Sequence, residues 1–85
     1  MIIMVNYIEG IPVMVQAYLH ALPKERVRLG LTVQELAKRA GVRKEIIEAY
    51  EAGTGTPTRS KYDKLASVFG WETWQEIEER QAPNG

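Results

Sequence analysis

Cysteine is absent from the 85 residues, so neither disulfides nor thiolate metal sites can staple this chain. Histidine occurs once, as His20, and a single imidazole assembles no His-based metal site and no Ser-His-carboxylate triad. No apolar run approaches the ~20 residues that a membrane-spanning helix needs. The opening MIIMV is apolar but lacks a basic leading segment, and Asn6, Glu9, Gly10 and Pro12 interrupt it too soon for a signal peptide. Internal repeats and low-complexity stretches are missing too. These absences leave one small domain, without cofactor or metal, not an enzyme, suited to a reducing cytoplasm and without a membrane partner. A domain of this size has a marginal core that dimerisation would help.

Net charge is zero, but its distribution along the chain is uneven. Residues 24–64 hold ten Lys and Arg against six Asp and Glu, for +4. The remainder holds Arg80 against Glu9, Glu72, Glu76, Glu78 and Glu79, for −4. An oriented electrostatic footprint has this form, as does a pair of ordinary solvated faces.

Periodicity makes the chain all-α after a short arm. Residues 1–8, rich in Ile, Val and Tyr, read as a strand or extended apolar arm. With no strand to pair with, the arm is expected to pack across the helices or pair with its copy in a second subunit. Val13 to Leu22 reads as a helix with Val15, Tyr18, Leu19 and Leu22 along one side, and Pro23 stops or kinks it before a segment ending at Gly30. Thr58 is a plausible cap for a helix to Phe69, with Tyr62, Leu65, Ala66 and Phe69 inward. A last helix from about Glu72 carries Trp74 and Ile77. The expected domains are 1–11 as arm, 12–80 as the helical unit and 81–85 as a frayed tail.

The densest information lies in Leu31 to Gly53, LTVQELAKRAGVRKEIIEAYEAG. Thr32 with Glu35 three residues later is a capping-box pair opening a helix that carries Leu36, Ala37 and Ala40 on one face. Gly41 permits a sharp turn with positive φ. A second helix follows, about Lys44 to Ala52, with Ile46, Ile47 and Tyr50 apolar and Gly53 as its stop. Ala37 is small where the two helices should come closest. Two helices crossing steeply about so short a turn expose the second, and an exposed helix suits a DNA major groove.

These residues resemble the phage-repressor-like, or Cro/cI-type (XRE), helix-turn-helix family. The matching positions are Arg26, Gly30-Leu31-Thr32, Leu36-Ala37, Gly41-Val42, Ile47, Glu51-Ala52-Gly53 and Pro57, continuing through Leu65-Ala66, Phe69-Gly70 and the Trp74 region. The likeness covers about Lys24 to Ile77. It implies a compact five-helix, lambda-repressor-like domain behind the N-terminal arm. Three positions depart from the pattern: Val33 replaces the usual phosphate-contacting Gln, Ala52 replaces a common Asn, and Pro23 interrupts the usual continuous first helix.

The resemblance also implies roles. Lys44, Glu45 and Ala49 would read bases: Lys44 donating to guanine O6 and N7, Glu45 accepting from cytosine N4, Ala49 against a thymine methyl, as Ile46 would be if exposed. Arg43, Thr54, Thr56, Lys38, Arg59 and Lys61 would meet phosphates. Arg26 and Glu51 would form a structural ion pair. Ile2, Ile3, Val5, Trp74 and Ile77 are the candidates for a homodimer contact. On the bland reading, Lys44, Glu45 and Glu48 are a solvated helix face, with Lys44 and Glu48 spaced for a weak ion pair. The implied function is a sequence-specific regulator of double-stranded DNA, dimeric on a palindromic operator. The alternative is a protein-interaction module on the same scaffold, such as an antitoxin or adaptor with a protein partner.

Overall fold

A computed structural model describes residues 7, 8 and 10–81. The described residues begin with a minimal antiparallel hairpin, β1 (Tyr7–Ile8) and β2 (Ile11–Pro12), in register Tyr7 with Pro12 and Ile8 with Ile11. The arm's described end therefore pairs within its own chain, since Gly10 lets the chain fold straight back; Met1 to Asn6 lie outside the described residues. Six helices follow: α1 (Val13–His20), α2 (Leu22–Arg28), α3 (Val33–Ala40), α4 (Lys44–Ala52), α5 (Arg59–Phe69) and α6 (Trp74–Gln81).

The count exceeds the expected five because the first helix is divided. Pro23 has no N–H to return to the carbonyl four residues back, and its ring would crowd that carbonyl. The chain breaks at Ala21, whose N–H closes α1 onto the Ala17 and Tyr18 carbonyls at 3.1 Å each. Pro23 then falls in the first turn of α2, where a missing donor costs nothing.

Both ends of α3 are set locally. The Thr32 hydroxyl accepts from the Glu35 N–H at 3.0 Å while Glu35 accepts from the Thr32 N–H at 2.8 Å. Gly41 closes the helix at φ 70°, ψ 35°, the left-handed region that a side chain would resist. A second such box opens α6, where Thr73 and Glu76 exchange the same two bonds at 2.8 and 3.1 Å.

One core joins β2 and the helices. Val15, Leu22, Leu36, Ile47, Tyr62, Leu65 and Ile77 are wholly buried, and Ile11 of the hairpin joins them. Buried apolar surface contributes about 25 cal/mol per Å², so these side chains dominate the favourable side of folding. Trp74 is 5% exposed and Ile77 is 0% exposed. The two were candidates for a subunit contact; their side chains instead fill the protomer's own interior. An i, i+3 apolar stripe looks the same whether it faces its own core or another chain. Ile2, Ile3 and Val5, the other candidates, lie outside the described residues.

Candidate nucleic-acid interface

The turn between α3 and α4 is only three residues long, and it holds the helices by their ends. The Gly41 and Val42 N–H groups both return to the Ala37 carbonyl, at 2.9 and 3.2 Å. The helix ends thus stay tight without burying a polar group unpaired. Ile47 and Tyr50 fasten α4 from behind, at 0% and 7% exposure. The charged residues of the first two turns face away from them. Arg43, Lys44, Glu45 and Glu48 are all exposed.

None of those four side chains has an ion-pair or hydrogen-bond partner among the described residues. Lys44 and Glu48, spaced for an ion pair, do not make one. Their solvated charges remain open to an incoming ligand. Ala49 is half-buried beside the loop that follows α4, and Ile46 is half-buried against the core rather than freely exposed. Lys38 is exposed on the face of α3 away from the core.

Arg26 holds the far end of α4. Its Nε donates to Glu51 Oε2 at 2.7 Å, its Nη2 to Oε1 at 3.1 Å, and its Nη1 to the Leu31 carbonyl at 2.8 Å. Side-chain exposures of 17% and 15% shield the pair from solvent screening. The hydrogen bond to Glu51 holds the Arg26 guanidinium above its ordinary value. The fork ties α2, the start of α3 and the end of α4 together. This is the pair that the family resemblance implied.

The loop after α4 contributes less uniformly than expected. The Thr54 hydroxyl donates to the Ala49 carbonyl at 3.3 Å, so its proton is spent closing α4. Thr56 is exposed, and Lys61 is half-buried with no described partner for its amine. Arg59 is engaged within the domain: its Nη2 donates to Glu78 Oε1 at 2.5 Å, and its guanidinium lies 5.5 Å from the Trp74 ring centroid. Its charge is spent on α6. The reason is a contact across 19 residues, beyond the reach of local spacing.

Gly55 is a site residue that sequence reasoning missed. A Cβ there would lie 2.7 Å from Tyr50 Cδ1, 3.0 Å from Tyr50 Cε1 and 3.1 Å from the Ala49 Cβ. The loop backbone therefore lies flat against the Tyr50 ring, which fixes the loop relative to α4. The one available signal was a second glycine two residues after the helix stop. Burial pushes the Tyr50 phenol up; the Thr58 N–H tempers this without reaching hydrogen-bond geometry, and the hydroxyl has no partner.

Residues 24–77, nearly two thirds of the chain, match the Helix-turn-helix family model. Among curated proteins and solved structures nothing matches. The chain belongs to the helix-turn-helix family of DNA-binding regulators, of the XRE, Cro/cI-like type.

Proposed function

We propose that this member of the helix-turn-helix family is a sequence-specific regulator that enters the DNA major groove with the N-terminal half of α4. The observation that carries the reading is the contrast between the two sides of α4. Ile47 and Tyr50 anchor one side, while Arg43, Lys44 and Glu45 stand exposed and unpartnered on the other. In this arrangement Lys44 and Glu45 read base edges and Ala49 packs on a thymine methyl. Each good base contact contributes about 1–3 kcal/mol of discrimination. Arg43, Thr56, Lys38 and Lys61 position the backbone, with Val33 supplying no phosphate clamp. Thr54 is left out of the set, because its hydroxyl and backbone protons both go to the Ala49 carbonyl and a phosphate offers none in return. Arg59 is left out of the set.

Recognition by a homodimer on a two-fold-symmetric operator completes the proposal, with two α4 helices about 34–36 Å apart. Residues 1–6 lead into the hairpin and are the remaining candidate for the subunit contact. A cytoplasmic location follows from the proposed ligand, and no described helix is long and apolar enough to cross a membrane.

Glu45 and Glu48 favour a second reading, because two unpaired carboxylates on the exposed helix repel phosphates. On that reading the same face binds a protein, as an antitoxin or adaptor does. Selection from a random duplex pool, followed by a salt titration, separates the two. A DNA reader enriches one motif, and log K falls linearly with log salt at about −0.9 per phosphate contacted. Absence of binding at low salt would end the first reading.

A further inference from the structure

The two strands of the hairpin are placed differently. β2 lies against α1 and α6, with Ile11 9% exposed and Pro12 wholly buried, and the chain passes from it directly into α1. β1 is the outer strand of a sheet of two, and no other described strand reaches it. The register decides which backbone groups of β1 are spare. Pro12 has no N–H, so the Tyr7–Pro12 pair cannot exchange two hydrogen bonds. It is the non-hydrogen-bonded kind of pair, in which N–H and C=O point away from the opposite strand. Tyr7 therefore turns both groups to the open edge. Open edges are usually blunted by charge, proline or a bulge. Met1 to Ile8, MIIMVNYI, carries no charged side chain, no Pro and no Gly, and Ile2, Ile3 and Val5 are β-branched residues that suit a strand.

We propose that the open edge of β1 is taken by the same edge of a second copy of this chain, paired antiparallel about a two-fold axis at Val5. The inference rests on the dimeric reading above and gives it a surface and a register. In the pair the strand continues back from Tyr7 to Ile3, a stretch outside the described residues. Strand alternation then turns the N–H and C=O of Ile3, Val5 and Tyr7 to one edge. Setting Val5 against Val5 places Tyr7 of each copy against Ile3 of the other, so every outward group on that stretch gains a partner. The contact is isologous and closes at two copies, the symmetry that a two-fold operator asks for. An uncharged arm also meets no like charge when it faces itself.

The test is sedimentation of the whole chain over a concentration series, with amide exchange followed in the same samples. The parent should show a monomer–dimer equilibrium, and the Tyr7 amide should exchange slowly only where the dimer predominates. Val5→Pro removes the two central hydrogen bonds and should weaken the dimer by about tenfold or more. Val5→Lys and Val5→Glu should each weaken it as well, because like charges meet across the axis, and an equimolar mixture of the two should recover it as a heterodimer. A parent that stays monomeric, a Val5→Pro dimer as tight as the parent, or a lysine–glutamate mixture no tighter than its components would each overturn the proposal. The readout needs no DNA. A chain that pairs in this way and selects no duplex would sink the regulator reading alone, and one that selects a duplex as a monomer would sink the pairing alone.

Discussion

The outer face of α4 and the outer face of α6 are both rich in charge, yet they treat it in opposite ways. On α6 and its approach, Glu72 accepts from Arg80 and Tyr18, Glu76 caps its own helix, Glu78 accepts from Arg59 and Trp74, and Glu79 accepts from Gln75. On α4, Arg43, Lys44, Glu45 and Glu48 meet nothing inside the molecule among the described residues. The α6 end is also where the aromatics gather: Tyr18 and Phe69 stack on Trp71 at centroid distances of 5.2 and 4.8 Å, and Tyr62 and Trp74 meet edge-on at 6.1 Å. Charge spent internally holds structure. Charge left unspent is open to a partner, and it can be removed at little cost to the fold.

The fork between Arg26 and Glu51 is the place to break that contrast hardest, because it is a spent pair that supports the unspent face. Arg26→Ala strands a shielded carboxylate and the Leu31 carbonyl together. A loss of about 2 kcal/mol is expected. At about 4–8 °C per kcal/mol for a domain of this size, the melting temperature should fall by roughly 8–16 °C. DNA affinity should fall with it, since α4 loses its far anchor. A melting temperature within about 2 °C of the parent would show that the core alone orients α4.

Lys44→Ala tests the opposite pole. It should change the melting temperature by no more than about 0.5 kcal/mol equivalent, as surface substitutions do. It should also flatten base preference at one operator position by about 1–3 kcal/mol, read from selection with the variant protein. An unaltered motif would remove Lys44 from the reading set. A large stability loss would mean that its charge was never unspent.

Gly55→Ala sharpens the comparison at the loop between the two regions. The added methyl meets a ring that is 7% exposed and cannot swing away, so the loop must shift. Overpacking of this kind costs about 1–3 kcal/mol, and a single methyl on a surface loop belongs at the lower end. Thr56 moves with the loop, so binding should weaken by a similar factor on every sequence, with the preferred motif unchanged. A change of motif would mean that the loop touches bases.

What the sequence made legible follows the range of each interaction. The Thr32–Glu35 box, the Gly41 turn and the Pro23 break depend on residues within four positions of one another, and all appear where local chemistry puts them. The pair of Arg26 with Glu51 spans 25 residues and was reachable only through the family resemblance. Arg59 with Glu78, and Gly55 against Tyr50, have no local signature: the first is a contact across 19 residues, and a loop glycine does not itself name the ring it meets. The inward placing of Trp74 and Ile77 was ambiguous for a different reason. Periodicity gives the apolar face of a helix but not what covers it.

The smallest effect expected is also the cleanest separation of the two faces. The hydrogen bond from Arg59 holds the Glu78 carboxyl below the usual carboxylate range, with Trp74 assisting. A carboxyl depressed by folding adds stability that is present above its unfolded value and lost as pH falls through the folded one. Glu35, depressed first by the Thr32 backbone, acts in the same direction. Acid should therefore erode stability below the ordinary carboxylate range, and Glu78→Gln should lose part of that erosion while melting slightly earlier near neutrality. The same variant frees Arg59 from its acid. If Arg59 is spent on α6 because the fold needs it there, DNA affinity should remain within twofold of the parent in both Glu78→Gln and Arg59→Ala. Tighter binding in the first and weaker binding in the second would mean that Glu78 competes with phosphate for Arg59. The boundary between spent and unspent charge would then run through α5 rather than around α6.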